Sequence, residues 1–64
     1  MNVNLEKVMD NLDNIRNNCE YIADEIENAD EDSFEDACLY STSLIDTLIY
    51  RLKETKDELM KGIK

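Results

Sequence analysis

The 64-residue chain has no histidine, no proline and no tryptophan, one glycine, two cysteines and seven basic side chains against sixteen acidic ones. Each shortage excludes something. Without histidine there is no ready general base near neutral pH, and the inward Glu-x-x-His metal motif of helical bundles cannot be built. Two cysteines without histidine would need ligands from a second chain to hold structural zinc. A single glycine leaves no glycine-rich phosphate cradle. So small a chain offers little room for a catalytic cleft, so a non-enzyme without cofactor or metal is expected. No apolar run approaches the length of a membrane span and no charged-then-apolar leader is present, so the expectation is a cytoplasmic protein with no membrane contact.

The net charge of −9 disfavours phosphate backbones and anionic lipid, so a direct nucleic-acid partner is not expected and a basic protein partner is. Cys19 and Cys38 fall on apolar helical stripes, where a thiol behaves as a small hydrophobe; both are expected buried and unbridged.

What is present is helix-forming sequence. Leu5, Val8, Leu12, Ile15, Cys19, Ile22, Ile26 and Ala29 recur in alternating steps of three and four. Phe34, Cys38, Ser41, Ile45, Leu48, Leu52, Thr55 and Leu59 continue the pattern. The reading is a single all-α domain over 1–64: a helix at about 3–28, a turn at about 29–32 and a helix at about 33–61. A short connection makes the helices antiparallel neighbours. Their seams then face each other in register, from Ala29 against Glu31 and Ile26 against Phe34, through Ile15 against Ile45, to Met1 against Leu59. A lone hairpin leaves one side of each helix wet, and Ala37, Leu44 and Ile49 widen the apolar stripe of the second. A homodimeric four-helix bundle is therefore expected, its core formed by Leu5, Val8, Leu12, Ile15, Cys19, Ile22, Ile26, Phe34, Cys38, Leu44, Ile45, Leu48, Ile49 and Leu52. From Glu20 to Asp36 there are nine acidic and no basic residues, while Arg51, Lys53, Lys56, Lys61 and Lys64 gather near the C-terminus. An antiparallel pair of hairpins sets each acidic turn beside the partner's basic end.

The densest acidic stretch, IENADEDSFEDACLY over residues 26–40, reads as the turn. Asp32 or Ser33 caps the second helix, with Glu35 or Asp36 completing a capping box. A calcium loop would need a glycine at its sixth position and a glutamate at its twelfth; starting from Asn28 or Asp30, both are missing.

Ile15-Arg16, Asp36-Ala37-Cys38, Asp46, Leu48 and Tyr50-Arg51, together with length and turn position, give a chain that resembles the Rop family of plasmid RNA-binding modulators along nearly its whole length. The resemblance implies an antiparallel four-helix dimer. That family contacts RNA from the outer face of helix 1, where this chain has Val3, Asp10, Asn14, Asn18 and Glu25, so the RNA-binding residues do not carry over. Thr42 to Leu52 also looks like the Ser-x-x-Leu-Asp signature of small two-helix aspartyl-phosphate phosphatases, with Thr42 and Ile45 in place of Ser and Leu and with Asp46 as the carboxylate. Core packing explains Ile45, Leu48 and Leu52 equally well.

The outer faces supply the candidate partner-binding residues. Glu6, Asp13, Glu20 and Glu27 form one row of helix 1, with Asp10 and Asp24 beside it, at axial steps of about 4.5 to 10.5 Å that are similar to phosphate spacings. Tyr21, Leu39, Tyr40 and Tyr50 project among carboxylates, a composition suited to a basic protein surface. A solvated, solubilising face is the plainer reading of the same charges. The expected function is a small acidic interaction module, an inhibitor or regulator that occludes a basic nucleic-acid-binding surface. In size and charge it looks like the short acidic anti-defence proteins of phages and mobile elements, anti-CRISPR proteins among them. The alternatives are a Rop-like RNA-binding regulator using Lys7, Arg16, Arg51 and Lys53, and a purely structural dimerisation module.

Overall fold

The computed structural model describes residues 2–63, which form two helices, α1 (Leu5–Asn28) and α2 (Phe34–Met60), joined by a short turn. Met1 of the expected register and Lys64 of the basic cluster lie outside the described residues.

Helix α1 begins two residues later than its periodicity suggests, because Asn4 caps it. Asn4 is extended, and its Oδ1 accepts a hydrogen bond from the Lys7 amide at 3.1 Å. The helix ends where Ala29 turns extended, at φ −70° and ψ 134°. No described residue has a positive φ, so the turn needs no glycine.

The turn is fastened differently from the expected capping box. The Asp30 amide donates to Ser33 Oγ at 3.1 Å and the Ser33 amide donates to Asp30 Oδ1 at 2.9 Å. With its hydroxyl engaged backward on the turn, Ser33 precedes α2 without a side-chain cap bond, and neither Asp32 nor Glu35 nor Asp36 replaces it. Glu35 and Asp36 still lie in the first turn, against the positive end of the helix dipole. Beyond α2 the chain tightens, with the Lys61, Gly62 and Ile63 amides each donating to a carbonyl three residues back. Gly62 lies so near Val3 that a Cβ there would sit 3.0 Å from the valine methyl, so the ends of the hairpin close on a position without a side chain.

The helices pack antiparallel as a rod of 51 × 15 × 13 Å. The sequence pattern and the observed seam differ in rotation. Val8, Ala37 and Leu48 are the buried apolar residues, accompanied by buried Asn11, Ser41, Thr55 and Glu58. Ile15, Asn18, Ile22, Glu25, Ile26, Ala29, Leu44, Arg51 and Glu54 are half-buried along the same line. Half of the expected seam is thus in contact, while Leu5, Leu12, Cys19, Phe34, Cys38, Ile45, Leu52 and Leu59 remain exposed. Along α1 the contact line runs through 8, 11, 15, 18, 22, 25, 26 and 29 and leaves out 5, 12 and 19, which turns the helix by roughly 50°, half the 100° step. Both cysteines, expected buried, are exposed for the same reason. The expectation that the two apolar ridges meet squarely inside the hairpin is corrected accordingly. They lie side by side on one face of it.

Candidate functional site

That rotation gives the hairpin two unlike faces. On one, Leu5, Met9, Leu12 and Cys19 of α1 share a side with Phe34, Cys38, Ile45, Ile49, Leu52 and Leu59 of α2. On the other, polar and aromatic side chains bridge the helices. Near the termini Asn11 Nδ2 donates to Glu54 Oε1 at 3.2 Å, and Lys7 Nζ lies 3.7 Å from the same oxygen. Near the turn the rings of Tyr21 and Tyr40 meet with centroids 5.7 Å apart and planes inclined by 54°.

The tyrosine pair stands over an open cleft of about 600 Å³ lined by Tyr21, Asp24, Glu25, Asn28, Ala29, Ser33, Asp36, Ala37 and Tyr40. Its shape follows from the sequence. Ala29 and Ala37 are too small to fill the space between the helices at this level, and the turn holds the backbones at a fixed distance. Tyr21 and Tyr40 rise from opposite helices and wall the space. The environment is electronegative: the charge that Tyr40 would carry on ionising, the Glu25 carboxylate, and hydrogen bonding to both hold the Tyr21 hydroxyl above its ordinary value of 10.0. At the edge of the turn, hydrogen bonds from the Ser33 amide and hydroxyl hold the Asp30 carboxyl below its ordinary 3.8.

Glu6, Asp10, Asp13, Glu20, Asp24 and Glu27 are all exposed along α1. Asp13 is partly neutralised by Arg16 at 3.6 Å, and the Asp10 carbonyl accepts from Asn14. Of the candidate residues the structure gathers Tyr21, Asp24 and Tyr40 into one cleft. Leu39 and Tyr50 are exposed, but neither lines it. Glu25 and Asp36, which were not among the candidate partner-binding residues, line the cleft with them. The signal for this was the antiparallel register: a turn near residues 29–33 sets position 21 level with position 40.

Among the described residues no three His, Cys, Asp or Glu side chains converge to hold a metal ion, so the acidic stretch 26–40 disperses around the turn. No helix of the described residues is long and apolar enough to cross a membrane. The geometry defines the class, a two-helix antiparallel hairpin with one apolar and one carboxylate-tyrosine face. No family model, curated protein or solved structure matches the chain.

Proposed function

We propose that this chain is a small acidic interaction module without catalytic activity, which pairs with a second copy as a four-helix bundle and inhibits or regulates a basic protein by covering its nucleic-acid-binding surface. One observation carries the reading. The apolar stripe and the cleft with its carboxylates occupy different faces of the same hairpin, so self-association through the first leaves the second free for a partner. A merely soluble hairpin has no need for tyrosines at the mouth of an acidic cleft.

Of the four cations available to an RNA-binding alternative only Lys53 is both exposed and outside the ion pairs of the described residues. Lys7 pairs with Glu54, Arg16 pairs with Asp13, and Arg51 is half-buried. A face dominated by carboxylates gains no counterion-release energy from RNA. A gel shift with structured RNA at low salt is expected to show no complex, and a shifted band would favour the RNA-binding regulator instead.

The main test is charge reversal. Substituting Glu20→Lys, Asp24→Lys and Glu27→Lys together is expected to abolish inhibition of a nucleic-acid-binding partner co-purified from the native host. Helical content should stay unchanged. The native complex should weaken steeply with added salt. Inhibition surviving the triple reversal would remove the proposal.

A further inference from the structure

Resting on the interaction reading above, we propose that the cleft between Tyr21 and Tyr40 is a receptor for a single arginine side chain of the partner protein, its guanidinium lying against the tyrosine rings and hydrogen-bonded by the carboxylates of Asp24, Glu25 and Asp36.

Three independent features converge there. The first is the concavity, open to solvent and backed by Ala37, which is itself buried, so that an inserted side chain would rest on a closed apolar floor. The second is the ring pair. Centroids 5.7 Å apart with a 54° inclination set two rings against each other at the cleft, too close for a cation to pass between them, so a cation would rest on their outer faces. The third is that no cation of the same chain serves the cleft. The chain carries no basic residue between Arg16 and Arg51, and Arg16 is engaged with Asp13. Among the described residues the ion pairs all lie elsewhere, at Glu54, Asp13 and Glu58.

Arginine suits this site better than lysine. Its guanidinium is planar and weakly hydrated, stacks on aromatic rings and donates in pairs to carboxylates, whereas an ammonium is a compact ion that keeps its water. A metal ion is a poor occupant, because the carboxylates line the walls of an open cleft without converging on one point.

The test titrates the full-length protein, followed by NMR at low salt, with a doubly blocked Gly-Gly-Arg-Gly-Gly peptide and with the same peptide carrying lysine or citrulline. The arginine peptide should produce saturable shifts at the Tyr21 and Tyr40 rings and at the Asp24, Glu25 and Asp36 amides. Lysine should bind more weakly and citrulline not at all. Tyr21→Leu and Tyr40→Leu should each weaken binding by about two- to thirty-fold, the range expected for loss of one cation–ring contact. Should either leucine variant lose helical content, Glu25→Gln and Asp36→Asn take its place and should also weaken binding. Unsaturated shifts spread over Glu6, Asp13 and Glu27, equal binding of the lysine peptide, or unchanged affinity in the folded variants would each overturn the proposal. The two readings fail separately. Partner inhibition that survives Tyr40→Leu but is lost on charge reversal removes the receptor and keeps the inhibitor. Peptide binding at the cleft combined with inhibition that survives charge reversal does the opposite.

Discussion

Glu58 shows how much a single residue of this hairpin depends on its neighbours. The residue is 5% exposed in the contact seam, yet it is a carboxylate. Lys61, one turn on, reaches its Oε2 at 3.0 Å and draws its pKa below the ordinary 4.5; burial opposes the shift, and the Asn4 backbone and Lys7 support it. A carboxyl with a depressed folded pKa contributes stability that is present above its unfolded pKa and lost as pH falls through the folded value. Glu58→Gln should therefore lower the melting temperature at neutral pH, and the gap to the native protein should close on acidification through 4.5 and below. A gap independent of pH would show that the charge at this position contributes nothing. Asn11, also buried, holds Glu54 across the interface in the same way. Neither residue was legible as a seam position in the sequence, because a hydrophobic repeat counts apolar residues and passes over polar ones whose partners come from the other helix.

At the scale of the element, helix type, order and approximate length were legible, because the absence of proline and the three-four spacing leave few alternatives. The ends were less so. Both Asn4 and the Asp30–Ser33 pair are short polar side chains in a sequence rich in them, and which of these becomes a cap depends on where the backbone leaves the helix. Asn4→Ala removes the acceptor of the Lys7 amide and should cost about 0.5–2 kcal/mol, measurable by urea unfolding; Asn2→Ala, which precedes the cap, serves as control. No difference between the two variants would mean that the cap contributes nothing to stability. The rotation of α1 is what the proposed pairing requires. In a bundle of four helices each helix touches two neighbours, so its apolar stripe is centred between them rather than on either one. On that proposal positions 8, 15, 22, 41, 48 and 55 serve the hairpin, and the offset positions 5, 12, 19, 38, 45 and 52 would serve the second contact. A lone hairpin with a self-contained core would have centred its stripe on the partner helix. The cleft was only partly legible for a related reason: Tyr21 and Tyr40 were visible as surface aromatics, but their meeting depends on which side of the hairpin the polar residues occupy.

For the whole molecule the decisive quantity is surface. A compact monomer of 7.5 kDa exposes about 4,250 Å², whereas this hairpin exposes 5170 Å², an excess of about 900 Å² that is close to one side of a standard protein interface. Its radius of gyration of 15.0 Å likewise exceeds the roughly 10.7 Å of a compact chain of this length. A second copy is the occupant we propose on charge grounds: turned end for end, it would bring the basic C-terminal end, with Lys53 and Lys56, toward the turn of its partner, which carries Asp30, Glu31 and Glu35 without any cation of its own. Pairing of this kind predicts a melting temperature that rises with protein concentration and a mass in light scattering of two chains. It also predicts that Cys19 and Cys38, exposed on the lone hairpin, react slowly with a thiol reagent in the native protein. Placing a carboxylate on the apolar face by Leu12→Glu or Ile45→Glu, at positions 37% and 43% exposed in the hairpin, should do little to a stable monomer. In a paired bundle it buries an unpartnered charge and should cost several kcal/mol, abolish the dimer, release both thiols to rapid reaction and reduce helical content. A native protein that sizes as one chain, melts independently of concentration and tolerates Ile45→Glu without loss of helix would leave the apolar face without a second copy to cover it.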